Sequence, residues 1–193
     1  MRKKSLLLMN GVLVSCLLFL TQACNQSPRT SVDTSRTKGD SITVSRAICV
    51  LHGTEGNIVT GTVTFTESDS GVVIVADIKG LTPGKHGFHV HEYGDCSALD
   101  AKSAGGHFNP DNKKHSGPND PERHVGDLGN IMAEANSTAH YQATNALLTL
   151  NGKHSIIGRA IIIHAGEDDL TSQPSGNSGS RIACGVIGIA KEQ

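Results

Sequence analysis

Six histidines and one aspartate stand where they could gather metal ions. His89 and His91 flank Val90. On a strand, successive side chains alternate faces, so these two imidazoles point the same way while Val90 points into the opposite layer. Neighbouring imidazoles make half of a metal site, and imidazole suits copper and zinc. A surface strand that merely carries two histidines is an equally good reading of the pair. His107, His115 and His124 follow, with Asp127 closing a stretch of 21 positions. Three imidazoles and a carboxylate can fold around one ion and give the tetrahedral set zinc prefers, at about 2.0–2.2 Å per bond. The bland alternative is a polar loop rich in histidine. His164 ends the apolar run Ile161-Ile-Ile163, where a structural histidine also fits.

A scaffold has to bring these residues together. From Ile42 onward the chain alternates short β-type runs with turn residues: around Ala47 to Leu51, then 58–65, 71–78, 87–91, 129–133, 140–142, 161–164 and 182–189. Eight such runs with no helical period predict an antiparallel sandwich or barrel. The 22 glycines, with abundant Val, Ile and Thr, agree with strands joined by tight turns. Two connections, Glu92 to Gly126 and Ala165 to Arg181, exceed the roughly 12–15 residues beyond which a loop in a compact domain is usually functional or disordered. The first carries a dense set of histidines, His107, His115 and His124. There is no internal repeat.

Composition narrows the partners. A net charge of −1 offers no basic excess for nucleic acid. At 3% aromatics and no Trp, the chain lacks the stacking platforms a carbohydrate or single-strand binder wants. Its 193 residues make one ordinary domain plus whatever precedes it.

What precedes it reads as an address. Met1-Arg-Lys-Lys4 is basic, Leu6 to Leu20 is apolar apart from Asn10-Gly11 and Ser15, and the stretch closes at Thr21-Gln-Ala-Cys24. These are the parts of a secretory signal, and the apolar stretch is short of the ~20 residues a membrane span needs. Cleavage before a cysteine resembles a bacterial lipoprotein signal, with Cys24 lipidated; plain secretion is the alternative. Leu13-Val-Ser-Cys16 also fits that pattern, but a cut there leaves Leu17 to Leu20 on the mature protein. Residues 25–41 are almost free of apolar side chains and read as a flexible tether. The expected organisation is a signal peptide at 1–23, a lipidated cysteine and tether at 24–41, and a domain at 42–193. That places the protein outside the cytoplasm, in a periplasm or cell envelope, held to a membrane by lipid.

Several separate motifs, in order, resemble the copper/zinc superoxide dismutase family. They are Gly87-Phe-His-Val-His91, Gly105-Gly-His-Phe-Asn-Pro110, Lys114-His115, Arg123-His-Val-Gly-Asp127, Ile163-His164 and Gly179-Ser-Arg-Ile-Ala-Cys-Gly-Val-Ile-Gly-Ile-Ala190. The likeness runs from about Ala47 to Ala190. It implies an eight-stranded antiparallel Greek-key barrel with two long functional loops. It implies copper on His89, His91, His107 and His164, and zinc on His107, His115, His124 and Asp127, with His107 bridging. Asp168 is implied as the carboxylate linking His89 to His115, and Arg181 as the guanidinium that attracts an anion beside copper. His86 is implied as a support inside the barrel. His52, His140 and His154 match no ligand and are expected to be solvated.

The cysteines follow the same likeness. Cys16 lies in the signal, Cys49 is expected as a buried free thiol, and Cys96 and Cys184 are implied as the family's disulfide, which suits an oxidising compartment. The placement of Cys96, directly after Gly94-Asp95 with ten residues before His107, resembles the bacterial exported branch. The implied reaction is dismutation of superoxide to dioxygen and hydrogen peroxide by a copper ion that changes oxidation state, with His107 returning a proton to the departing peroxide. The segment from Asp169 to Arg181 has no charge between its ends, so it supplies no cations to steer the substrate. The rival is an exported copper- or zinc-binding protein without catalysis. Positions resembling a family dimer patch, Gly94, Ile157, Gly188 and Ile189, point to a homodimer.

Overall fold

Alternating burial along the strands builds the barrel core. In β3 (Gly71–Lys79), Val72, Ile74, Ala76 and Ile78 are buried while the residues between them are less covered. The computed structural model describes residues 43–191. The expected leader, Cys24 and the expected tether therefore lie outside the described residues. The other strands are β1 (Arg46–Gly53), β2 (Thr60–Ser68), β4 (Gly84–His91), β5 (Asp127–Ala133), β6 (Thr138–Asn145), β7 (Ala160–His164) and β8 (Arg181–Ile189). They form one eight-stranded sheet in the order β5-β4-β7-β8-β1-β2-β3-β6, and every pairing is antiparallel. β5 and β6 follow one another through a tight turn, in which Glu134 N–H donates to Thr138 O at 2.8 Å. The result is the nearly closed Greek-key barrel that the family resemblance implies. Among the described residues, no helix is long and apolar enough to cross a membrane.

Two strands depart from simple alternation. From His86 onward every residue of β4 is buried. Phe88 and Val90 enter the main core with Phe65, Ile74, Ile131 and Ile163. His89 and His91 point outward, yet are only 0% and 1% exposed, because the long loops lie over them. β7 is buried throughout for the same reason. Ile161 and Ile163 face the core, whereas Ala160 and Ile162 join a small second cluster with Ala101, Ala104 and Cys184.

Bulges decide two further orientations. Between β4 and β5 the register moves from Gly87↔Asn130 to His89↔Asp127, so β5 takes one residue more than β4. Gly129, with φ 78°, supplies the left-handed conformation such a bulge asks for. Between β7 and β8 the pairs Ile163↔Ala183 and His164↔Arg181 leave Ile182 extra. Ala183 faces the core, so strict alternation would send Arg181 inward too. The bulge turns it to lie opposite His164.

Candidate metal centre

His89 and His91 come from β4, His164 from the end of β7, and Asp127 from the first residue of β5. His107, His115 and His124 come from the loop joining β4 to β5. That loop returns to β4 through a short ladder: Phe108 N–H donates to Val90 O at 2.9 Å, and Val90 N–H donates to Gly126 O at 2.9 Å.

These side chains form two groups, and each group's ligand atoms lie within 4.8 Å of one another. One is His89, His91, His107 and His164; the other is His107, His115, His124 and Asp127. His107 belongs to both. In the second group, Asp127 Oδ1 lies 2.8 Å from His107 Nδ1, 3.0 Å from His115 Nδ1 and 3.2 Å from His124 Nδ1. In the first, His164 Nε2 and His91 Nε2 are 3.4 Å apart.

The far side of nearly every ring is anchored. His89 Nε2 meets Asp168 Oδ2 at 2.8 Å and His115 Nε2 meets Asp168 Oδ1 at 2.9 Å, so one carboxylate spans the two groups. His91 Nδ1 donates to Gly105 O at 3.0 Å, His164 Nδ1 to Gly179 O at 3.1 Å, and His124 Nε2 to Lys113 O at 3.1 Å. Each anchor takes the proton on one nitrogen and leaves the lone pair on the other facing inward. The donor set fits a metal pair. His89 Nδ1, His107 Nε2 and His124 Nδ1 are three of the four buried side-chain nitrogen or oxygen atoms without a hydrogen-bond partner among the described residues. A buried unpartnered nitrogen costs stability unless something accepts its lone pair.

Charge supports the same use. Burial pushes His89 down to about 3 and His164 to about 4, and holds His91 and His107 below the ordinary imidazole value. These four rings are therefore neutral at pH 7, the form that ligates, whereas His115 would give up its proton on binding a metal. Burial alone would raise Asp127 and Asp168, but the hydrogen bonds from the imidazoles outweigh it and hold both far below the usual carboxylate range. Burial likewise opposes protonation of His115, yet Asp127 and Asp168 raise it to about 9.

The first group opens to solvent. A cavity of about 570 Å³ is lined by His91, His107, His164, Lys102, Asn109 and Arg181, among others. The Arg181 guanidinium donates to Ala101 O and Gly105 O, each at 2.6 Å. It forms no ion pair among the described residues, so its charge remains available to an anion in the cavity. Cys96 and Cys184 are bonded, with Cα atoms 5.8 Å apart, and tie β8 to the segment whose carbonyls hold Arg181.

A family model for copper/zinc superoxide dismutase (SODC) matches residues 59–187. The chain belongs to the copper/zinc superoxide dismutase family. It is 43% identical to an extracellular superoxide dismutase [Cu-Zn] of Brugia pahangi, over 93% of this chain and 96% of that protein. It is 44% identical to a superoxide dismutase [Cu-Zn] of Paramecium bursaria Chlorella virus 1, over 96% and 97%. The crystal structure of the clock protein EA4 superposes with a TM-score of 0.71 at 46% identity, covering 77% of this chain and 97% of that one. As a copper/zinc superoxide dismutase, the protein is an enzyme that uses copper and zinc to dismutate superoxide.

Histidines outside the two groups divide. His86 is buried inside the barrel, 2.8 Å from both His164 O and Thr82 O. His52 is exposed, as is His140, which pairs with Asp77 at 2.8 Å. His154 departs from the expected solvation: it is half-buried, with Nδ1 3.0 Å from Leu147 O and Nε2 2.8 Å from Asp111 Oδ2. Packing of the β6–β7 connection, invisible in sequence, accounts for it.

Three contributors escaped the sequence reading. Asn130 on β5 clamps Asp168, accepting from its N–H at 2.7 Å and donating to its carbonyl at 2.8 Å. Gln173 clamps the backbone of His115 in the same two-point way, at 2.9 and 2.8 Å. Lys102 stands on the cavity wall, paired with Asp100 at 2.7 Å. A lone amide or lysine carries no spacing signal that could have marked them.

Proposed function

We propose that His89, His91, His107 and His164 hold copper, and that His107, His115, His124 and Asp127 hold zinc. The observation that carries this is the shared ring: His107 turns Nδ1 to Asp127 and leaves Nε2, otherwise unpartnered, to the other group. Copper supplies a one-electron couple when bound, and zinc a fixed charge on the far side of that ring. Two superoxide anions and two protons give one dioxygen and one hydrogen peroxide. Arg181 binds and orients each incoming anion, held rigid by Ala101 and Gly105. His107 Nε2 is the atom placed to hold a proton beside the cavity and pass it to the departing peroxide. Asp168 fixes the rings of His89 and His115.

The test is dismutation by metal-stripped protein before and after loading with copper and zinc. Activity that appears only on copper loading supports the assignment. Tight binding of both ions without turnover would instead favour the non-catalytic metal carrier.

The finer placement belongs to the same reading. Residues 1–23 act as a signal peptide, Cys24 receives the lipid, residues 24–41 form the tether, and the enzyme begins at 42. Support comes from the basic start, the short apolar stretch, the cysteine at its end, and a Brugia relative named extracellular. The placement of Cys96 supports the bacterial exported branch and a periplasmic or envelope location. An acyl mass on the mature chain, absent from Cys24→Ser, tests the anchor.

A homodimer is proposed through the outer face of β1 and β8. Val50, Val186 and Ile189 are 50%, 45% and 59% exposed there, beside a cavity of about 570 Å³ bordered by Leu99 and Gly188. A twofold axis would bury this patch against its own copy. Light scattering on soluble protein lacking residues 1–41 should give twice the chain mass.

A further inference from the structure

A third cavity, of about 480 Å³, lies between Pro118–Arg123 and the end of β6 with the residues after it. Its walls hold two charged residues, Arg123 and Asp120. Arg123 is only 6% exposed, yet no carboxylate pairs with it among the described residues. Its hydrogen bonds are long and go to neutral acceptors: Nη1 to Asp120 O at 3.4 Å and Nη2 to Asn145 Oδ1 at 3.3 Å. Asn145 Oδ1 is already shared with the N–H groups of Leu147 and Leu148. The Nε of Arg123 is buried without a partner. Neither nearby carboxylate serves it. Asp127 is turned to three histidines, and Asp120 receives Ser116 Oγ and Glu122 N–H, both at 2.8 Å.

Asp127 and Asp120 act on Arg123 only through space. A buried cation without a hydrogen-bonded carboxylate is costly, and a guanidinium is best satisfied by a planar, two-oxygen anion. We infer that this cavity is a binding site for a small organic monocarboxylate, held by Arg123. The remaining walls say which anion. Pro118, Pro121, Ala143 and Leu147 offer apolar surface, and the volume exceeds that of a carboxylate group alone. Asp120 on the wall disfavours a second negative charge, so a monoanion with a short apolar body fits better than phosphate. The site is separate from the Arg181 cavity. It joins the segment just before His124 to the β6–β7 connection, so its occupant would brace the loop that carries three of the metal-group histidines.

Butyrate is a suitable probe, with butyramide as the neutral isostere and inorganic phosphate as the inorganic anion. The metal-loaded enzyme, reduced so that its NMR signals stay sharp, is titrated while backbone amides 143–147 are followed. Amides around Ala101 and Arg181 report anion binding at the other cavity separately. The expected result is saturable shifts at 143–147 with butyrate, half-complete at the order of millimolar, and none with butyramide. Asn145→Asp brings a carboxylate to the guanidinium and should weaken butyrate binding at least tenfold while raising the melting temperature. Arg123→Gln should weaken it as much; if that chain fails to fold, Asn145→Asp decides alone. Absence of saturable shifts at 143–147, or unchanged affinity in Asn145→Asp, would overturn the site. Equal shifts from phosphate would overturn the organic carboxylate.

Discussion

The two halves of the metal centre rest on different supports. His89, His91 and His164 sit on β4 and β7, whose alternate residues are locked in the barrel core, and backbone carbonyls or Asp168 hold their outer nitrogens. His107, His115 and His124 sit on a loop of irregular backbone, and their main organiser is one carboxylate, Asp127. The strand-borne half is thus preorganised by hydrophobic packing that exists without any ion. The loop-borne half is held by charge and hydrogen bonds, and its order depends on what fills it. His91 and His164 of the strand-borne half line the cavity together with His107 and His124 of the loop-borne half, while His115 and Asp127 are covered. A redox ion needs access to substrate. An ion that only fixes a ring needs none.

Removing the carboxylate at the centre of the loop-borne half should break the contrast most clearly. Asp127→Ala is expected to abolish zinc retention and lower the melting temperature, while the strand-borne half still takes copper. Metal analysis with calorimetry checks this, and equal loss of both ions would mean the halves are one unit.

Arg181→Glu comes next. It should slow dismutation by about ten- to a thousandfold at low salt, leaving both metals bound, because attraction at the cavity becomes repulsion. Metal loss in that variant would show Arg181 to be a structural residue. Asp168→Asn should weaken retention in both halves by about 10–100-fold, since one oxygen pair anchors His89 and His115 together. An effect on zinc alone would confine Asp168 to the loop-borne half.

Reducing the Cys96–Cys184 bond, which spans 88 positions, should cost about 2–5 kcal/mol and roughly 5–15 °C of melting temperature. Activity should fall with it, because Ala101 and Gly105, which hold Arg181, lie in the segment it tethers. The smallest effect concerns Cys49. Burial pushes its thiol up to about 12. Because the folded value is raised, this contribution is present below the unfolded thiol value and is lost as pH rises through 12. Native protein should resist alkylation at pH 9, and rapid labelling would mean the barrel opens there.

The sequence by itself determined the strands and much of the site. Period-two alternation in Thr62-Val-Thr-Phe-Thr66 marks β2 as half-buried, and His89-Val90-His91 carries its own geometry, because a strand has no other way to place three consecutive side chains. The dense histidine loop was equally legible, since ligand type and spacing are chemical properties of the chain. Tertiary structure alone decided the rest. The bulge at Ile182 reversed the parity that would have sent Arg181 into the core. Gly176 (φ 69°) leaves room for Asp168, where a Cβ would collide with the carboxylate. Asn130 and Gln173 acquired roles only because segments far apart in sequence fold against one another. Register shifts and loop contacts arise from the packing of distant segments, and no local pattern of residues encodes them.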